Sequence, residues 1–95
     1  MEALREFWEA GHADEEKPLR QWYRICESAK WVNFADLRGD FKSADIVGDR
    51  VIFDILNNRY RLITIVNYPK HGVLVRWIGT HAEYDRLTTI EIKNL

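Results

Sequence analysis

The stretch that decides the fold is residues 44–80, ADIVGDRVIFDILNNRYRLITIVNYPKHGVLVRWIGT. Its apolar residues recur with a period of two and are rich in β-branched and aromatic types, the mark of half-buried strands. Four strands are predicted: Ala44–Val47, Arg50–Leu56, Tyr60–Tyr68 and Val73–Thr80. Gly48-Asp49 and Asn57-Asn58 suit two-residue hairpin loops, because Gly, Asn and Asp accept a positive φ. Pro69–Gly72 makes a longer loop. Such short links imply an antiparallel meander.

The turns also set a register. With Asn57-Asn58 as the loop, Ile55 faces Tyr60, Phe53 faces Leu62 and Asp54 faces Arg61. With residues 69–72 as the next loop, Val66 faces Val75, Ile65 faces Arg76 and Arg61 faces Thr80. Directly opposed residues share a face. One face then holds Val51, Phe53, Ile55, Tyr60, Leu62, Val66, Val73, Val75 and Trp77, and should carry the helices. The other holds Arg50, Asp54, Arg61, Arg76 and Thr80, mixed with Ile63, Ile65 and Ile78. Two arginines on a half-exposed sheet face make a candidate anion site.

Upstream, the period is helical. Leu4, Phe7 and Trp8 line one face of a short helix ending near Gly11. Asp14 is a candidate N-cap for a second helix, with Glu15 and Glu16 in its first turn and Pro18 early enough to be tolerated. Leu19, Trp22, Tyr23 and Cys26 form its apolar stripe, with Cys26 read as a small core residue. Trp31, Phe34, Leu37 and Phe41 imply a packed connection with one helical turn after Asn33. Downstream, Thr80 and Glu83 fit a capping box for a short helix through Leu87. His81, Tyr84 and Asp85 on that helix lie near the same sheet end as Arg61. The tail Thr88–Leu95 alternates at Ile90 and Ile92 and is predicted to add an edge strand.

Ninety-five residues make one domain with one modest core. Apolar residues are 46% and charged residues 31%, which argues against wholesale disorder. A lone cysteine excludes an internal disulfide and a Cys-rich zinc site, and fits a reduced, cytoplasmic setting. His12, His71 and His81 are too scattered for a metal motif. No apolar run reaches the roughly 18 residues of a membrane helix, and no signal-peptide pattern is present. The net charge of −1 hides an asymmetry. Residues 1–49 hold 7 Lys/Arg and 11 Asp/Glu, a net of −4; residues 50–95 hold 7 and 4, a net of +3. The C-terminal half can therefore meet a polyanion.

Three segments together resemble the HigB toxin family of bacterial type II toxin–antitoxin modules. They are Gly48–Ile55, Asn58–Leu62 and above all Arg76-Trp77-Ile78-Gly79-Thr80-His81-Ala82-Glu83-Tyr84-Asp85. The N-terminal Ala3–Glu9 and Pro18–Tyr23 segments resemble it too, so the likeness covers about residues 3–87. It implies a RelE-like α+β fold, with two N-terminal helices on an antiparallel sheet and a short helix after the last long strand. It implies an mRNA interferase that cuts translated mRNA, usually at the ribosome, with no metal or other cofactor. It also implies a HigA-type antitoxin, commonly a helix-turn-helix protein. Carried over by position, Arg61, Arg76, His81 and Tyr84 match the family's polar pattern and are the candidate catalytic residues. Arg50, Arg59 and Lys70 are candidate RNA contacts. The chain departs from the family in two ways. Members usually open with a short apolar strand, whereas here Met1 leads almost directly into the helix. Members are also often basic, and this chain is slightly acidic.

RNA cleavage of this kind needs a base for the 2′-hydroxyl, charge stabilisation at phosphorus and an acid for the 5′-oxygen. Arginine suits the second task through its planar fork. Histidine suits either proton transfer, and tyrosine can donate a hydrogen bond or stack on a base. Each residue also has a plain structural reading. Arg61 can serve as the cross-strand partner of Asp54, and Arg76 and His81 as solvated surface groups. Tyr84 can anchor the short helix, and Thr80 and Glu83 can be caps alone. A gyrase-poisoning toxin of the same fold and a non-catalytic interaction module are the alternative functions.

Overall fold

The computed structural model describes residues 2–56 and 59–95. The expected Asn57-Asn58 loop lies outside them. The elements in order are α1 (Glu2–Glu9), a 3₁₀ turn (Ala13–Glu15), α2 (Glu16–Ser28), α3 (Phe34–Asp40), β1 (Asp45–Val47), β2 (Arg50–Ile55), β3 (Tyr60–Asn67), β4 (Gly72–Thr80), α4 (His81–Asp85) and α5 (Thr89–Lys93). The strands form one antiparallel sheet in the order β1-β2-β3-β4. This is the α+β architecture that the resemblance implies.

The main core lies between the N-terminal helices and one sheet face. Leu4 and Trp8 from α1, Leu19, Trp22 and Cys26 from α2, and Leu37 from α3 cover Val51, Phe53, Ile55, Tyr60 and Leu62. Trp22 meets Phe53 edge-on at 5.3 Å, and Phe41 does so at 5.0 Å. Phe53 is wholly buried, so truncating it to Ala would cost about 3–5 kcal/mol. Cys26 belongs to this core, and burial pushes its thiol up to about 12, far from nucleophilic use. As expected, α3 follows Asn33, whose side chain accepts the Asp36 N–H.

The β2–β3 register is the expected one: Ile55 faces Tyr60, Asp54 faces Arg61 and Phe53 faces Leu62. The β3–β4 register differs. The loop is Tyr68–His71, closed by a His71 N–H bond to the Tyr68 carbonyl, with Pro69 in the turn and His71 at φ 54°. Val66 therefore faces Val73, and Thr64 faces Val75. Between Ile63 and Thr64 the register slips by one, which leaves Arg76 as the extra residue of a β-bulge. Each residue beyond the bulge switches face. Trp77 pairs with Ile63 on the face opposite the helices, while Ile78 packs into the main core. Thr80 pairs with Tyr60, on the helix face. The expected placements of Trp77, Ile78 and Thr80, and the expected pairing of Ile65 with Arg76, are thereby corrected.

The far face has its own small core. Ile52 and Ile63 are covered by Ile92, with Trp77, Tyr84 and Leu87 packed around them. Ile92 comes from α5, so the tail is a helix and not the expected edge strand. Thr88 accepts the Glu91 N–H and Glu91 accepts the Thr88 N–H, a second capping box. Asp14 is not the cap of α2 either. It sits inside the 3₁₀ turn and faces Arg59 at 3.8 Å. Its neighbour Glu15 is wholly buried, and its carboxylate oxygens have no hydrogen-bond partner among the described residues.

Burial, then the Asp14 charge, raises the Glu15 pKa from 4.5 to about 7, with Arg59 opposing. The folded state thus holds this proton more tightly than the unfolded chain. Its contribution is fully present below about 4.5 and is lost as pH rises through about 7. The loss is at most about 3.4 kcal/mol, from 1.36 kcal/mol per pKa unit over the shift from 4.5 to about 7. Thermal melting from about pH 5 to about pH 8 should show this fall, and Glu15→Gln should flatten it. A second expectation concerns α5. Thr88→Ala removes one cap and should lower stability by about 1 kcal/mol in chemical denaturation.

Candidate active site

The β2–β3 register sets Asp54 opposite Arg61 on the face away from the main core. Their side chains pair at 2.6 Å and are only 21% and 12% exposed, so the guanidinium is held in one place. The start of α4 is brought to the same sheet end by β4. Thr80 accepts the Glu83 N–H at 3.1 Å, and Glu83 accepts the Thr80 N–H at 2.8 Å, as the Thr-x-x-Glu spacing predicts. Those bonds hold the Glu83 carboxyl below its ordinary pKa. The His81 N–H donates to the Arg59 carbonyl at 2.8 Å, which ties the helix start to the start of β3.

From this anchor α4 carries two of the candidate side chains three residues apart. Tyr84 turns towards the sheet, and its ring centroid lies 5.6 Å from Arg61 Cζ. Trp77 lies 6.3 Å from the same ring. Burial raises the Tyr84 pKa first, Asp45 adds to it and Arg61 opposes it, so the phenol keeps its proton and is available as a donor. His81 remains partly exposed, with Nδ1 2.9 Å from an Asp85 oxygen. With Nδ1 occupied by Asp85, Nε2 is the ring nitrogen left for proton transfer.

Gly79 completes the group. It pairs with Arg61, and a Cβ there would lie 2.6 Å from the Trp77 ring and 3.0 Å from Glu83 Oε1. The indole therefore lies over Gly79, beside the Arg61 position. Two residues not named as candidates contribute to the site, Trp77 and Gly79, and Asp85, expected near this sheet end, is found paired with His81. The i,i+4 spacing of His81 and Asp85 on a short helix was a usable signal for Asp85. Nothing in the sequence marks the bulge that sends Trp77 to this face.

The other candidates are more dispersed. Arg76 is exposed in the bulge, three residues before Gly79, or about 10 Å along the strand at about 3.3 Å per residue. Arg59 is exposed at the site end and faces Asp14. Arg50 is mostly buried, with Nε donating to the Leu95 carbonyl at 3.0 Å and a further pair to Asp49. Lys70 stands in the β3–β4 loop, at the end of β3 away from Arg61. The structure thus sets the Tyr84 ring against Arg61, with His81 one turn earlier on the same helix, and leaves Arg50 and Lys70 apart.

Among the described residues, no three His, Cys, Asp or Glu side chains form a metal-ligand group. No helix there is long and apolar enough to cross a membrane. A guanidinium, a histidine and a protonated phenol around one partly covered sheet end form a set suited to phosphate chemistry.

Comparison with known proteins gives a relative and a family for this chain. The curated mRNA interferase HigB of Escherichia coli O6:H1 (strain CFT073) is 29% identical over 73 residues, which span 74% of this chain and 71% of that protein. The HigB toxin family model, described as the RelE-like toxic component of a toxin–antitoxin system, matches residues 15–87. That match takes in α2, α3, the whole sheet and α4, every element that builds the site, and the chain belongs to the HigB toxin family.

Proposed function

We propose that this toxin is a metal-independent endoribonuclease that cuts mRNA on the ribosome in the cytoplasm and so arrests growth. The observation that carries the reading is the Tyr84 ring against Arg61, with His81 on the same short helix. The name of the relative, mRNA interferase, points the same way. The 2′-hydroxyl attacks the adjacent phosphorus, and the 5′-oxygen leaves, giving a 2′,3′-cyclic phosphate and a 5′-hydroxyl end. Arg61 and Arg76 bind phosphate oxygens and stabilise the extra charge of the transition state. His81 transfers a proton through Nε2, and Tyr84 donates to phosphate or stacks on a base. Trp77 extends that stacking surface.

Arg59, Lys70 and Arg50 are proposed as contacts to the RNA backbone, Arg50 only if it leaves its bond to the Leu95 carbonyl. With a net charge of −1, the chain has little general attraction for RNA. Delivery of the substrate by the ribosome supplies what charge does not. The antitoxin is proposed to be a HigA-type helix-turn-helix protein encoded beside the toxin.

Two substitutions test the chemistry. His81→Ala keeps the backbone bond to Arg59 and removes a partly exposed side chain. It should leave melting nearly unchanged and slow cleavage by about 100- to 10,000-fold. Arg61→Lys keeps a charge opposite Asp54 but loses the fork, and should slow cleavage by about 100- to 1,000-fold. The assay is mapping of mRNA 5′-ends after induction, beside a melting curve for each variant. Cleavage near the parent level in both variants rejects the assignment. Intact mRNA with double-strand DNA breaks on induction of the parent would mark a gyrase poison instead.

A further inference from the structure

The turn between α1 and α2 is tied to the sheet end that carries His81. The His12 ring stacks on Phe7 at 4.1 Å, and the Tyr60 ring meets both edge-on, at 5.6 and 5.7 Å. Asp14 Oδ2 lies 3.8 Å from Arg59 Nη1. The Arg59 carbonyl in turn accepts the His81 N–H at 2.8 Å. Inside this joint stands Glu15, wholly buried, with neither carboxyl oxygen bonded among the described residues. A neutral carboxyl is tolerated there at the cost of an unmade hydrogen bond, but a carboxylate needs a cation or water. Asp14 in the same turn repels such a charge, and Arg59 at the start of β3 attracts it. The Tyr60 phenol lies within range of it as well. α1 and α2 pack on the turn, and the residues they bury are apolar: Leu4, Trp8, Leu19, Trp22 and Cys26. Glu16 of α2 is taken by Arg20, and the charge of His12 acts on Glu83 of α4.

We propose that Glu15 is a positioning residue for cleavage: on losing its proton it draws Arg59 from Asp14, and the shift of residue 59 carries the His81 amide from its place at the sheet end. The inference rests on the nuclease reading. The Asp14–Arg59 pair gives way easily, because Arg59 and Asp14 are 67% and 49% exposed and such pairs are weak. An unpartnered carboxylate in a closed site is far less favourable. To meet a wholly buried carboxyl, the guanidinium must enter the joint beside Tyr60, and either the backbone of residue 59 follows or the turn opens. Both displace the carbonyl that holds the start of α4. His81 is therefore in place while Glu15 keeps its proton, and cleavage falls on the alkaline side as that proton leaves.

The test has two arms. The first follows the NMR shift of the residue 81 amide against pH in toxin carrying His81→Ala, which keeps the backbone bond and removes the imidazole's own titration. A step with its midpoint at about 7 should appear, and adding Glu15→Gln should abolish it. The second compares mRNA cleavage on translating ribosomes by Glu15→Gln and by the parent at the same pH, so that other titrations cancel in the ratio. The ratio should be near one at about pH 6 and about ten at about pH 8, where about one carboxyl in ten keeps its proton. Glu15→Met, similar in length and without a titrating group, repeats both arms should the Gln variant not fold. A flat residue 81 signal, or a step that survives Glu15→Gln and so belongs to a group such as His12, overturns the inference whether or not the toxin is a nuclease. A cleavage ratio near one at both pH values overturns it too. A parent that cuts no mRNA at any pH, with the residue 81 step present, removes the nuclease reading and the positioning role with it.

Discussion

The antiparallel ladder between β2 and β3 is the constraint on which the rest depends. One register sets Phe53 beside Leu62 under the helices and Asp54 beside Arg61 on the opposite face. A slip of one residue would bury the ion pair and expose the two core residues. Burial of Phe53 and Leu62, both wholly inaccessible, thus fixes where the Arg61 guanidinium stands. Hydrophobic packing on one side of the sheet determines the charge geometry on the other. The Asp54–Arg61 pair need contribute little stability of its own, since desolvation offsets much of the attraction between buried charges.

The β2–β3 register was legible because so few residues separate Ile55 from Tyr60 that the strands on either side have few alternatives. So was α4, because the Thr80–Glu83 spacing states its own start. The β3–β4 register was not. Its loop tolerates more than one length, and the left-handed conformation falls on His71, a residue whose type does not announce it. The bulge at Arg76 is a tertiary compromise: Val75 and Ile78 both reach the main core, which strict alternation forbids. The tail was misread because Ile90 and Ile92 satisfy a period of two. The Thr88–Glu91 capping pair, the same signal that identifies α4, outweighed them.

The bulge also explains how an apolar platform and polar candidates occupy one sheet end. Without it, Trp77 and Gly79 would both face the helices. With it, Trp77 reaches the face of Arg61 and Tyr84, and Gly79 makes room for the ring. The indole and the phenol then border the guanidinium on the covered side. A phosphate held there would meet a partly desolvated cation, where charge interactions are stronger than in open water.

The site's rigidity is uneven, and the unevenness follows from what holds each part. Arg61 is locked by the ladder and by Asp54, and Tyr84 by packing against the second core. His81 is held by one backbone bond and by an exposed carboxylate on its own short helix. Exposed ion pairs of that kind contribute about 0–1 kcal/mol, too little to fix an imidazole against a competing partner. Arg61, proposed to meet the phosphate, is therefore preorganised, while His81, proposed to transfer a proton, is free to adjust. The division suits a nuclease whose substrate brings its own geometry. The cation must wait where charge will develop, whereas a proton carrier must reach two different oxygens along the same cleavage path.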